Sequence, residues 1–282
     1  MLGIIGGSGL YQLEGLQIDT ERTLITPFGT ASSAISCGQY NGQPVVFLAR
    51  HGTAHQLLPH EINYRANIYA LKALGARRII SFSAAGSLRQ EIKPGDLALV
   101  EQYFDHTKGR RAQSFFGQGV AAHVSTANPV CPALNNDIQQ AAAAVDQTIH
   151  INNSYACVEG PRLGTRAESF FLRDAANCDL VGMTNLPEAF LAREAQIAYS
   201  SLCLITDYDC WMDDPSQHVS LDKFFEVYSD TLARAIRILK PLVASPFTET
   251  PSHIRGALKS AVLTAREQLS SAQQQWLEVL ER

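Results

Sequence analysis

Short apolar runs of strand length recur along this chain between longer stretches of helical periodicity, and that alternation narrows the open folds to the α/β class. Residues 2–5, 45–49, 78–83, 96–100, 154–158, 180–183 and 197–205 read as strands. Between them, residues 61–74 align Ile62, Ala66, Tyr69, Ala70 and Ala73 on one face, with Gly75 placed as a C-terminal stop. Residues 165–176 and 186–196 read as two further helices, and the alanine-rich run at 139–144 fits another. A helix over 219–239 is marked by Phe224, Phe225, Tyr228, Leu232, Ile236 and Leu239. Thr250 then reads as the N-cap of a last helix, Pro251 as its first turn, and Ile254, Leu258, Ala261, Val262, Ala265 and Leu269 as its apolar stripe. A lone helix cannot make its own core. Residues 1–282 are therefore expected to form one domain, with 252–281 a C-terminal helix packed on it.

At 46% hydrophobic residues, the 282-residue chain has ample material for a core. A formal net charge of -4 without a basic face offers no general attraction for nucleic acid or anionic membrane, so a small-molecule partner is expected. Six scattered cysteines form no C-x-x-C pair, and no metal or organic cofactor is indicated. No apolar stretch approaches the ~20 residues of a membrane span, and the expected location is the cytoplasm.

Five strand exits carry small or polar clusters, and the carboxyl ends of strands are where open α/β sheets place ligands. Asp207 and Asp209, two residues and about 7 Å apart along a strand, would face one way. They read either as a clamp for a flat heterocycle, with like charges letting one carboxyl keep its proton, or as an acidic turn leading into Asp213 and Asp214. Gly6-Gly7-Ser8-Gly9 brings backbone N–H groups and a hydroxyl to a turn that either receives an anion or merely closes tightly. Arg50 and His51 follow a strand, where Arg50 could grip two phosphate oxygens and His51 donate a further hydrogen bond. Ser83 and Ala84 lie in a run of small residues suited to an anion or to tight packing, and Met183 with Thr184 closes the set.

These fragments, in this order, resemble the trimeric branch of the purine nucleoside phosphorylase superfamily, most closely the 5′-methylthioadenosine phosphorylases. Gly3 to Leu10, Thr26 to Gly29, Leu48 to Gly52, Asn63 to Asn67, Gly86 to Leu88, Pro94 to Asp96, Glu159 to Arg162, Arg166 to Glu168 and Thr206 to Trp211 carry the match. The resemblance implies a central twisted mixed sheet, partly barrel-like, flanked by helices. It implies that Ser8, Arg50, His51, Ser83, Ala84 and Thr184 surround inorganic phosphate, a co-substrate, that Met183 lines the ribose, and that Asp207 and Asp209 hold the purine. It further implies a homotrimer in which His123 reaches a neighbouring 5′ pocket, with Leu221, Phe224 and Phe225 facing the 5′ substituent. Gly164 departs from a Ser common beside the purine, the Phe224 and Phe225 pair is bulkier than usual, and Ser252-His253 replaces a Cys-x-Cys pair of archaeal relatives.

The implied chemistry is phosphorolysis of 5′-methylthioadenosine to adenine and 5-methylthioribose 1-phosphate. Asp207, kept protonated by burial and by Asp209, would donate to purine N7, which demands a raised pKa. An Asp209 carboxylate accepts from a 6-amino group and repels a 6-oxo group. The alternative is a 6-oxopurine nucleoside or S-methyl-5′-thioinosine phosphorylase.

Overall fold

A computed structural model describes residues 1–7, 15–212 and 221–282, with the side chains of 221–223 also outside the description. Ser8 of the first glycine turn, Asp213, Asp214 and the Leu221 side chain therefore lie outside the described residues. In chain order the strands are β1 (Leu2–Gly6), β2 (Leu16–Arg22), β3 (Ile25–Thr26), β4 (Gly29–Thr30), β5 (Ile35–Tyr40), β6 (Gln43–Ala49), β7 (Arg78–Ser87), β8 (Leu97–His106), β9 (His150–Val158), β10 (Leu180–Gly182) and β11 (Ala198–Asp207). The helices are α1 (Tyr64–Ala73), α2 (Pro132–Ala143), α3 (Arg166–Phe170), α4 (Glu188–Glu194), α5 (Leu221–Ala244), α6 (Ser252–Arg255) and α7 (Ser271–Glu281).

The main sheet runs β10-β9-β8-β11-β7-β1-β6-β5-β2, and a further pairing of β10 with β7 closes five of its strands into a ring. This is the mixed, partly barrel-like sheet that the family resemblance implies, in the α/β class that the periodicity predicts. β1 is buried along its whole length because neighbours on both sides and helices on both faces leave it no solvent side. Strand alternation divides the core: Ile5, Ile79 and Tyr199 join the cluster containing residues of α1, α4 and α7. Ile4, Ile80 and Leu204 join the cluster under α2 and α5.

β1, β6, β7 and β11 are mutually parallel, so Gly6, Ala49, Ala84 and Asp207 emerge at one end of the sheet. The short β10 runs antiparallel to β7, starting level with Ser87 and running back along it, so the segment after Gly182 meets β7 at Ser83. Helices take their ends from local chemistry: the Asn63 side chain accepts from the Ala66 N–H and starts α1, three residues later than the periodicity implies. Gly75, at φ +96°, stops it as expected.

The single C-terminal helix expected over 252–281 is not formed. Instead α6 ends at Arg255 ahead of Gly256, and α7 begins at Ser271, capped by Ser270 in a reciprocal capping box with Gln273. The backbone between them is engaged elsewhere: His123 N–H donates to the Ala261 carbonyl and Leu263 N–H to that of Ala121. Backbone groups spent on such a bridge cannot close helical turns. Trp276, Leu277 and Leu280 anchor α7, with Trp276 against Phe28. The segment read as one helix over 165–176 changes to a π-helix over Phe171–Ala175, and α5 runs on through Pro241 to Ala244.

Candidate active site

Asp207 ends β11 at a bulge: Ile205 pairs with Ala85 and Asp207 with Gly86, so Thr206 is the extra residue. The bulge re-aims the carboxyl across the sheet end. Only glycine fits opposite, since a Cβ on Gly86 would lie 2.9 Å from Asp207 Oδ1 and 3.4 Å from Asp209 Cβ. Asp207 accepts from Thr206 Oγ1 at 2.7 Å and from the Asp209 N–H at 2.8 Å. Burial raises its pKa above the ordinary 3.8 against those two bonds, and the charge of Asp209 adds a smaller push. Strand geometry does not carry the pairing with Asp209, which sits past the strand in a 3-10 turn at φ +48°. The two carboxyls are brought together by a turn that binds one to the other's backbone.

Arg50 leaves β6 into a fully buried position. Its Nε and one Nη2 hydrogen grip Glu188, at 2.7 and 3.0 Å, while the other Nη2 hydrogen goes to Ser81 Oγ and one Nη1 hydrogen to the Phe82 carbonyl at 3.0 Å. The expected two-pronged grip on phosphate is therefore spent on a protein carboxylate, and of five N–H groups a single Nη1 hydrogen remains. Burial works against the guanidinium charge, but Glu188 more than offsets it and holds the pKa above its ordinary value. Glu188 is itself fixed by Ser81 Oγ at 2.6 Å and the Tyr199 hydroxyl at 2.8 Å.

His51 differs from its expected role as a donor. Its Nδ1 lies 2.8 Å from the Leu57 carbonyl, which can only accept, so Nδ1 carries the hydrogen. Burial first, then Arg50, lowers the ring's pKa to about 4. The ring is neutral at pH 7 and Nε2 is an acceptor. Ser83 and Thr184 meet from separate segments, their hydroxyl oxygens 2.9 Å apart, with Ala84 next along β7.

Met183 lies beside the Glu159-Gly160 turn, where a Cβ on Gly160, at φ +66°, would overlap the Met183 Sδ. Next to Asp209 a cavity of about 260 Å³ opens, with Gly160, Gly164, Ser169, Val181 and Asp209 in its wall. Close to Gly7 lies Tyr228 of α5. Half-buried Phe224 stacks on Tyr228 at 5.9 Å, a Cβ on Gly7 would lie 3.3 Å from the Tyr228 hydroxyl, and Phe225 is 64% exposed. His123 is exposed on the loop bridged to Ala261 and stands with none of the strand-end residues above.

Sequence alone assigns no site role to Glu188, Ser81, Tyr199 or Tyr228. Tyr228 was legible as the residue one helical turn after Phe224. The others look like core residues until their partners are seen. Among the described residues, no group of three His, Cys, Asp or Glu side chains stands together as a metal site, and no helix is long and apolar enough to cross a membrane.

The model of the phosphorylase superfamily matches residues 1–242. The S-methyl-5′-thioadenosine phosphorylase of Geobacter sulfurreducens is 43% identical over 280 residues, covering 99% of this chain and 97% of that protein. Its counterpart from Thermosynechococcus vestitus is 44% identical over 287 residues, with 99% and 97% covered. The crystal structure of a methylthioadenosine phosphorylase from an antarctic soil metagenomic library superposes with a TM-score of 0.92 at 43% identity, covering 99% of this chain and 98% of that one. The Schistosoma mansoni methylthioadenosine phosphorylase in complex with adenine gives 0.85 at 32% identity, covering 93% and 98%. With a family model that matches most of its length and full-length relatives above 40% identity, this chain belongs to the phosphorylase superfamily.

Proposed function

We propose that the protein cleaves S-methyl-5′-thioadenosine with inorganic phosphate, releasing adenine and 5-methylthioribose 1-phosphate. The observation that carries this reading is the half-buried Asp207 carboxyl, its pKa raised, at the same sheet end as two facing hydroxyls and a buried arginine. In the proposed step the C1′–N9 bond breaks and its electron pair passes into the purine. Asp207 gives its proton to N7, and a phosphate oxygen forms the new bond to C1′. Ser83, Thr184, the Ala84 backbone and the remaining Arg50 hydrogen donate to phosphate, and Ser8 belongs to the same set. His51 accepts, through Nε2, the hydrogen of a protonated phosphate oxygen.

Met183 lines the ribose, the cavity beside Asp209 takes the base, and Asp209 accepts from the 6-amino group. Leu221, Phe224 and Phe225 enclose the 5′-methylthio group, completed by His123 of a neighbouring subunit in a homotrimer. The reaction needs no metal or organic cofactor, and the protein works in the cytoplasm. The test is base release from methylthioadenosine, methylthioinosine and inosine in parallel, with and without phosphate. Phosphate-dependent release of adenine, faster than that of either 6-oxopurine, is expected. Faster cleavage of the 6-oxo compounds would overturn the base assignment, and release without phosphate would overturn phosphorolysis.

A further inference from the structure

Arg111 lies in the loop between β8 and α2, where no spacing marks it, yet its side chain is fully enclosed. All five of its N–H groups have acceptors. Nε donates to Glu159 Oε1 at 3.0 Å, and Nη1 donates to the carbonyls of Met183 at 2.7 Å and Leu186 at 2.6 Å. Nη2 donates to the carbonyls of Glu159 at 2.8 Å and Val158 at 3.3 Å. Longer contacts reach the Tyr64 hydroxyl at 3.3 Å and Cys157 Sγ at 3.8 Å.

Four of those acceptors are backbone carbonyls belonging to two separate segments. One segment, 158–160, ends in the glycine against which the Met183 thioether packs. The other, 183–188, carries Met183, Thr184 facing Ser83, and Glu188 gripping Arg50. One planar fork thus fixes the spacing between the two walls that meet at Met183. A lysine, with three donors radiating from a single point, can keep the ion pair with Glu159 but cannot span both pairs of carbonyls.

We infer that Arg111 is a positioning residue for the reaction, setting Met183 and Thr184 against sugar and phosphate without touching either substrate. The inference rests on the proposed roles of Met183 and Thr184. Its physical basis is that small displacements of aligned groups lower rates by orders of magnitude, so a clamp on their backbone acts on catalysis at a distance.

The test compares R111K with wild type and with L277A, which thins the core under α7 and touches no site residue. Steady-state constants for methylthioadenosine and phosphate are taken per folded molecule, with the folded fraction read from near-ultraviolet circular dichroism. Amide hydrogen exchange is followed across 183–188 and across β7. R111K is expected to lose at least ~10-fold in kcat/KM for both substrates, while L277A keeps the wild-type constants. Exchange in R111K should quicken within 183–188 and stay unchanged in β7. Constants within twofold of wild type, exchange that quickens everywhere alike, or an R111K chain that does not fold would overturn the inference. The exchange readout needs no turnover. A wild-type protein without phosphate-dependent adenine release would defeat the proposed function while local quickening at 183–188 still stood for the clamp.

Discussion

Glu188, buried, and Asp207, half-buried, stand at the same end of the sheet, yet the molecule treats the two carboxyls in opposite ways. Glu188 receives a guanidinium on both oxygens, a serine hydroxyl and a tyrosine hydroxyl. Asp207 receives one hydroxyl and one backbone N–H, and no cation among the described residues. Burial without a counter-charge favours the neutral acid, whereas burial against arginine fixes an anion. One carboxyl is thus equipped to give up a proton and the other to hold a cation still.

The largest effect separating them should come from Asp207→Asn. Removing a positioned acid lowers kcat by roughly 10²–10⁴-fold, and selectivity should turn toward inosine-type substrates. In wild type, kcat/KM should fall as pH rises through the raised Asp207 pKa, and the variant should lack that limb. A variant retaining wild-type rate and pH profile would remove the acid from the mechanism. For Glu188→Gln the expected signature is different: Arg50 is left charged and buried, destabilising the fold by about 3–5 kcal/mol and raising KM for phosphate, with the pH limb retained. Chemical unfolding with phosphate kinetics reads both, and an unaltered unfolding midpoint would break the contrast.

Glu194 sharpens the comparison from outside the site. It is half-buried with no cation among the described residues, held by Ser114 Oγ at 2.7 Å and the Phe115 N–H at 2.8 Å, and desolvation pushes its pKa from 4.5 up to about 7. Its proton is bound more tightly folded than unfolded, so its contribution to stability is lost as pH rises from 4.5 to about 7. The loss is at most about 3 kcal/mol, and Glu194→Gln should flatten stability over that window. A slope as steep in the variant would place the titrating group elsewhere.

Much of this was legible along the chain. Strand positions, the stop at Gly75 and the gathering of Arg50, Ser83, Thr184 and Asp207 at strand exits follow from periodicity and turn chemistry, which are local. Strand β2 was missed because an exposed edge strand such as Leu16–Arg22 lacks the apolar run that marks a buried one, and β5, inside the sheet, because Ser36, Cys37, Gly38 and Gln39 interrupt its apolar ends. The C-terminal helix was misread because the bridge to residues 121–123 competes for its backbone, and that competitor is more than a hundred residues away.

By itself, the sequence determined the α/β class, the end of the sheet where chemistry gathers, and the residue types brought there, since each depends on neighbours a few positions apart. Tertiary structure alone decided that Arg50 serves Glu188 before any ligand, that His51 spends its Nδ1 hydrogen on the Leu57 carbonyl, and that no cation among the described residues reaches Asp207. Whether a buried group is charged, and which of its hydrogens remain free, depends on partners contributed by distant segments, and those partners exist only once the sheet has closed.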